Sequence, residues 1–139
     1  MIGHDPQHTY KAAIIGAGSG GLTMAVGLSN FGHDIVLIEA DKIGGDCTNV
    51  GCIPSKALLH AAQAGLDDPL AWVRSRRDEL AHEEDVEMEE HQRIHLVRGW
   101  ARLTARDGDA HVVSVGGPDG DVTVRAENVI ISSGSKPIS

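Results

Sequence analysis

Aromatic side chains are scarce: the 139 residues include one Phe, one Tyr and two Trp, and the 12 lysines and arginines are outnumbered by 20 aspartates and glutamates. Single-stranded nucleic acid is gripped by stacked aromatics in a basic groove, and any phosphate backbone demands positive charge, so a formal net charge of −8 argues against a nucleic-acid partner. No apolar run reaches the length that spans a bilayer, which argues against a membrane protein. The start, Met1 to Lys11, carries His4, Asp5 and Pro6 with neither a basic opening nor an apolar core, so it does not read as a secretory signal. The expectation is a cytoplasmic chain whose residues 1–9 are frayed or disordered. Cysteine is scarce too, with Cys47 and Cys52 the whole supply. Two thiols provide only half of a zinc set, and four intervening residues are not a zinc-knuckle spacing, so no metal site is expected. In a reducing compartment such a pair is catalytic or redox-sensing rather than a structural staple.

What remains is ordinary for one globular domain: 41% hydrophobic residues, enough for a real core. Much of the negative charge is local. Asp67 to Arg98 contains ten acidic and five basic residues, a net of −5, densest from Glu83 to Glu90; such a run is usually a solvated helix face.

Glycine is plentiful, at 17 residues, and its placement carries the first functional signal. Tyr10 to Ile15 is a short apolar run that reads as a buried strand. It ends in Gly16-Ala17-Gly18-Ser19-Gly20-Gly21, after which Leu22, Ala25, Val26 and Leu28 form an apolar helical stripe stopping near Gly32. A second strand, Ile35 to Ile38, ends at Glu39. Strand, glycine turn, helix, strand and terminal acid together form a βαβ dinucleotide fingerprint. Gly16 permits the tight turn, Gly18 lets the backbone approach a pyrophosphate, and Gly21 lets the helix pack close to the strand. The helix N-terminus offers free N–H groups and a positive dipole end to the phosphates. Glu39, 23 residues after Gly16, is placed to accept hydrogen bonds from ribose hydroxyls, which favours FAD or NAD over NADP.

Further along, Ile53 to Ala64 reads as a helix with Pro54 in its first turn, and Ala57, Leu58, Ala61 and Ala62 as its apolar cover. Asp68-Pro69 reads as the N-cap and first residue of a charged helix running to about Ala81, which the acidic stretch can prolong, with Leu70, Val73, Leu80 and Trp72 marking one side. His91 and His95 would share a face only on a helix, whereas Ile94 to Val97 suggests a strand that scatters them. His111–Val115 and Val122–Val124 alternate as strands around the turn Gly116-Gly117-Pro118-Asp119-Gly120. Val129 to Ile131 reads as a buried strand running into Ser132-Ser133-Gly134-Ser135-Lys136-Pro137.

The cysteines sit in Gly44-Gly45-Asp46-Cys47-Thr48-Asn49-Val50-Gly51-Cys52-Ile53-Pro54-Ser55-Lys56. Four intervening residues allow a small disulfide ring, and the helix from Ile53 would hold Cys52 where the dipole favours a thiolate. This segment resembles the redox-active disulfide of the FAD-dependent pyridine nucleotide-disulfide oxidoreductases, the family of dihydrolipoamide dehydrogenase, glutathione reductase and mercuric reductase. Both glycines, both cysteines, Gly51, Pro54 and Lys56 match; Asp46 stands where threonine is commoner and Thr48 where an aliphatic residue is usual. Gly99-Trp100-Ala101 and the final Ser-Ser-Gly turn resemble the family's adenine-contact and second FAD segments. The resemblance implies a Rossmann-like α/β fold in three layers, a parallel sheet with an added β-meander, over residues 10–139. It implies that FAD meets Gly16, Gly18, Ser19, Gly20, Gly21 and Glu39 in the first unit. Gly45, Asp46, Cys47 and Lys56 around the thiols, and Ala101, Ser133 and Gly134 further on, complete the implied contacts. Cys52 is then the thiol beside the flavin and Cys47 the one that attacks substrate.

The implied function is electron transfer between NAD(P)H, FAD and a Cys47–Cys52 disulfide, serving a small disulfide or dithiol substrate. The dihydrolipoamide dehydrogenase type comes first and the mercuric reductase type second. No second glycine fingerprint follows, nor the family's dimerisation element with its His-Glu pair. The chain therefore reads as an FAD-binding portion, inactive alone, of a homodimeric enzyme whose NAD(P)H-binding and dimerisation domains are absent from it. Rival readings are a non-enzymatic flavin-binding or redox-sensing module, and a plain NAD-binding domain with incidental thiols.

Overall fold

A computed structural model describes residues 7–118, 120–136 and 138. Met1–Pro6 of the expected frayed start, Asp119 of the hairpin turn and Pro137 of the closing turn lie outside the described residues. The elements run β1 (Thr9–Ile15), α1 (Ser19–Asn30), β2 (Ile35–Glu39), α2 (Gly45–Asn49), α3 (Cys52–Gln63), α4 (Pro69–Glu90), β3 (Ile94–Arg98), β4 (Trp100–Asp107), β5 (Ala110–Gly117) and β6 (Gly120–Ile131).

The six strands lie in the order β3-β2-β1-β6-β5-β4. β3, β2, β1 and the second half of β6 are parallel, while the first half of β6 continues antiparallel into β5 and β4. β6 is thus one strand with two roles: Asp121 to Ala126 pair with the meander and Arg125 to Ile131 with β1. The sequence separates Val122–Val124 from Val129–Ile131 because Glu127 and Asn128 interrupt the apolar pattern. In the structure they are one 12-residue element. Nor are its last residues buried as expected, since Ile131 is 71% exposed.

Side chains alternate across a strand, so the parallel sheet feeds two apolar layers. Ala12, Ile14, Ile35, Leu37 and Ile94 pack with Ala25 of α1 and Met88 of α4. Ala13, Val36 and Ile38 pack on the other side with Val113, Val115, Val124 and Ala126 of the meander. Ile35 to Ile38 are all fully buried, as a central parallel strand covered on both faces must be. The expected order of helices, parallel sheet and meander in three layers is what forms.

α1 shows buried residues at Gly21, Ala25 and Ser29, a stripe spaced by four. α4 is capped as expected, Asp68 Oδ1 accepting the Ala71 N–H at 2.9 Å, but it runs through the acidic stretch to Glu90. Its buried residues are Val73 and Met88, and Leu70 stays 54% exposed. On α3 Ala61 is buried, while Leu58 is 41% exposed and Ala62 is exposed. His91 lies just past α4 and His95 within β3, so the two do not share a helix. No helix among the described residues is long and apolar enough to cross a membrane.

Candidate functional site

The carboxyl ends of β1, β2 and β6 meet at one edge of the sheet. β1 connects through α1 to β2 on one side and pairs with β6 on the other, which makes this a switch point of an α/β sheet, where crevices form. Gly16 turns the chain there with φ +102°, its N–H donating to Ile38 O at 2.8 Å. A Cβ at Gly21 would overlap the Gly16 carbonyl, and one at Gly16 would overlap that of Ser132. Strand, helix and the segment after β6 are therefore packed backbone to backbone.

Gly18 is different. A Cβ there would meet only the Cα of Gly45, at 3.9 Å, so the fold itself leaves room for a side chain. Gly18 is the N-cap of α1 and supplies no side-chain cap, and no acidic residue lies in the first turn. The first-turn N–H groups, those of Ser19, Gly20 and Gly21, lack intrahelical acceptors and sit at the positive dipole end, with Ser19 and Gly20 exposed. A glycine not demanded by the fold, set before uncapped N–H groups, fits a group as large and as negative as a diphosphate.

Glu39 ends β2 beside this turn. Its Oε2 accepts the Ala17 N–H at 2.7 Å and its Oε1 the Asp41 N–H at 2.8 Å. The carboxylate thus braces the glycine turn, and each oxygen keeps acceptor capacity toward a ribose. An open cleft of about 540 Å³ adjoins it, lined by Glu39, Asp41, Lys42, Arg98, Gly99 and Trp100 among others. Ala101 does not line that cleft. Its side chain packs into the meander-side core and its backbone is paired with Val115, so Gly99 and Trp100 are the residues of that segment facing the space.

The thiol segment is bolted to the glycine turn. Gly44 N–H donates to Ala17 O at 2.8 Å, Gly18 and Gly44 form a parallel bridge, and a Cβ on Gly45 would come within 2.9 Å of the Gly18 Cα. Gly44 and Gly45 take φ of +86° and +57°, a reversal that places a short helix, α2, on top of the turn. The sequence pattern gave no sign of α2, because five residues opening on two glycines show no periodicity. Asn49 steadies it, Nδ2 donating to Ile43 O at 3.0 Å and Gly45 O at 2.8 Å.

α2 carries the exposed Asp46 and the half-buried Cys47. α3 begins at Cys52, with Gly51 as its N-cap. The cysteines stand as free thiols, Cys52 exposed. Hydrogen bonding toward Cys52 holds the Cys47 thiol above the ordinary thiol range, with burial and the Cys52 charge adding to it. The Cys52 backbone N–H and the Lys56 ammonium pull the other way. Lys56, one turn along α3 and exposed, is thus within electrostatic reach of the pair.

Ser132 N–H donates to Ile15 O at 2.8 Å, and a Cβ on Gly20 would come within 3.0 Å of Ser132 Oγ. Ser133 and Gly134 follow, both exposed, Gly134 with φ +69°. Two residues outside the sequence-derived set also reach the site. Thr48, 4% exposed, donates Oγ1 to Glu84 Oε1 of α4 at 3.2 Å. Burial lifts the Glu84 carboxyl above the ordinary glutamate range, with the Asp85 and Glu87 charges adding and the Thr48 hydrogen bond opposing. Among the described residues no group of three or more His, Cys, Asp and Glu side chains is placed to hold a metal ion.

Comparison with known proteins places this geometry. Residues 10–139 match the family described as pyridine nucleotide-disulphide oxidoreductase. The chain is 33% identical over 138 residues to the probable pyridine nucleotide-disulfide oxidoreductase RclA of Escherichia coli, covering 93% of this chain and 29% of that protein. It is 33% identical over 155 residues to a dihydrolipoyl dehydrogenase of Halobacterium salinarum, covering 99% of this chain and 32% of the relative. Among solved structures, the Cu(II) complex of the HOCl-induced flavoprotein disulfide reductase RclA of E. coli superposes with a TM-score of 0.84 at 29% identity, covering 96% of this chain and 30% of that one. The chain therefore spans about a third of the length of these relatives. With a glycine turn, a bracing acid and a thiol pair gathered at one sheet edge, the chain belongs to the pyridine nucleotide-disulphide oxidoreductase family.

Proposed function

We propose that this chain is the FAD-binding portion of an NAD(P)H-linked disulfide oxidoreductase of the dihydrolipoyl dehydrogenase kind, and that Cys47 and Cys52 are its working thiols. One observation carries this: the turn Gly16–Gly21 and the turn that starts α2 are joined backbone to backbone, through Gly44 N–H to Ala17 O and the Gly18–Gly44 bridge. The proposed dinucleotide cradle and the thiol pair thus adjoin through main-chain contacts. The N–H groups of Ser19, Gly20 and Gly21 would hold the diphosphate and Glu39 the ribose hydroxyls. Gly45, Asp46, Lys56, Ser133 and Gly134 would form the remaining contacts, with Gly99 and Trp100 facing the space in place of Ala101. When bound, FAD supplies the two-electron redox chemistry.

The thiols' own step is disulfide exchange. A Cys47 thiolate attacks one sulfur of a substrate disulfide, forming a mixed disulfide and releasing the other sulfur as a thiolate that takes up a proton. The Cys52 thiolate then attacks the Cys47 sulfur, forming the Cys47–Cys52 bond and releasing the second thiolate, likewise protonated. The substrate gains two electrons and the pair loses two. A well-placed acid–base group typically contributes about 10² to 10⁴ in rate to such proton transfers. That group, the NAD(P)H site and the dimer contact are proposed to lie on polypeptide beyond these 139 residues.

Mixing the purified chain with FAD, reading its visible spectrum and counting thiols before and after oxidation tests the proposal. The expected result is bound oxidised flavin, loss of two thiols on oxidation, and no NAD(P)H-dependent turnover with lipoamide, glutathione disulfide or Hg²⁺. Bound flavin with a pair that never closes would favour a flavin-binding module. Failure to take up FAD together with tight NAD binding would overturn the proposal.

A further inference from the structure

α2 has five residues and no side-chain cap, too few to be stable without anchors. Its ends are tied down by the Gly44 N–H to Ala17 O bond and by the Asn49 amide. The remaining anchor is on the residue next to Cys47. Thr48 Oγ1 donates to Glu84 Oε1 at 3.2 Å across 36 positions of sequence. The other carboxyl oxygen of Glu84, Oε2, is buried with no hydrogen-bond partner. A Cβ on Gly44 would overlap both that oxygen and the Thr48 Cβ and hydroxyl, so the glycine leaves the space that the carboxyl and the threonine share. The start of α2 is thus packed on a carboxyl rather than on an apolar side chain, an arrangement that costs desolvation. That choice gives α2 a directional tie to α4 that an aliphatic contact would not supply.

We propose that Glu84 is a positioning residue for the thiol pair: its carboxyl, wedged between α4 and the turn from Gly44 to Thr48, fixes the orientation in which Cys47 faces Cys52. A disulfide closes only within a narrow range of Cα separation and dihedral angle, so the closing equilibrium is sensitive to small rotations of α2. The role rests on the proposed function in one respect, that the pair opens and closes reversibly.

The test equilibrates the 139-residue protein in glutathione redox buffers and counts open and closed pairs by mass after alkylation. Wild type closes reversibly. Glu84→Ala and Thr48→Val each lower the closing constant by about tenfold, the scale of a small misplacement of reacting groups. The double variant falls no further than either single one, because both remove the same contact. Thr48→Ser and Glu84→Gln, which keep the hydroxyl and the acceptor, stay within about threefold of wild type. Thr48→Val preserves side-chain shape, so its contrast with Thr48→Ser decides the matter even where Glu84→Ala unfolds the chain. A wild-type pair that closes as it does in Thr48→Val, or additive losses in the double variant, would overturn the positioning role and leave the redox function standing. A wild-type pair that never closes would overturn both.

Discussion

The unit β1–α1–β2 and the run α2–α3–α4 serve one site by opposite means. In the first, position is set by backbone contact and burial: Gly21 sits against Gly16, Ile35 to Ile38 are fully buried, and the helix stripe Gly21, Ala25 and Ser29 faces the sheet. In the second, helices of 12 and 22 residues bury Ala61 alone and Val73 with Met88 alone, and position depends on polar ties such as Thr48 to Glu84 and Asn49 to Ile43. The first solution suits the proposed dinucleotide cradle, which has nothing to change. The second suits the proposed opening and closing of the thiol pair, since few buried contacts resist a small shift.

The sharpest break in the comparison is steric. Gly21→Val should prevent the close approach of α1 to the Gly16 carbonyl and destabilise the chain by more than about 4 kcal/mol. Gly27→Ala lies in the same helix where an added Cβ meets nothing within 4 Å, and should stabilise by up to about 1 kcal/mol. Urea unfolding midpoints measure both. Equal effects would mean that the turn is not packed as described.

A smaller contrast comes from burial. Leu37, fully buried, should lose about 2 to 5 kcal/mol on replacement by Ala, whereas Leu59→Ala on α3, 66% exposed, should stay within about 0.5 kcal/mol. A large loss at Leu59 in the same unfolding assay would show that α3 is covered in solution, for example by self-association.

Glu39 braces the glycine turn and is proposed to meet the ligand as well. Replacing it with Ala should weaken FAD binding by about 1 to 3 kcal/mol, the scale for losing charge-assisted hydrogen bonds, and should lower stability because Ala17 N–H and Asp41 N–H lose their acceptor. Calorimetric titration with FAD separates the two. An unchanged affinity in a destabilised protein would leave Glu39 only its bracing role.

The legible parts of this chain were those governed by short-range rules. The β1–α1–β2 boundaries and the Asp68 cap follow from periodicity, glycine placement and capping chemistry, and the structure agrees with them within a residue or two, whereas the meander is legible as a hairpin but its second strand runs on from Val124 to Ile131. The thiol segment was legible as a family motif through Cys47, Cys52 and Lys56, but not as shape, because the helix that presents Cys47 is five residues long and starts at glycine. Two misreadings share one cause. Leu58 and Ile131 read as covered on apolarity alone, and whether a neighbour covers them is decided by distant parts of the chain. Thr48 and Glu84 lie 36 positions apart, a pairing that no local pattern reports. Glu39 bracing Ala17 was hidden for the same reason, behind a ligand role that alone accounted for the residue.

Glu84 gives the smallest effect and the one whose sign is most diagnostic. Burial raises its proton affinity in the folded chain, and the Asp85 and Glu87 charges add to it. The folded state therefore holds this proton at a pH where the unfolded chain has already lost it. The stability that follows is fully present below the ordinary glutamate range and is lost as pH rises through the raised folded value. The wild-type curve alone mixes this carboxyl with every other group that titrates over the same range. Subtracting the Glu84→Gln curve isolates the carboxyl, because Gln keeps the oxygen that accepts from Thr48 and cannot ionise. The wild-type minus variant stability, read from urea midpoints at half-unit steps starting below the glutamate range, should fall as pH rises and then level off, leaving the variant the more stable protein at neutral pH. A difference that climbs with pH would mean that Glu84 is stabilised as a charge, that its second oxygen finds a donor in solution, and that the polar tie holding α2 is an ionic one.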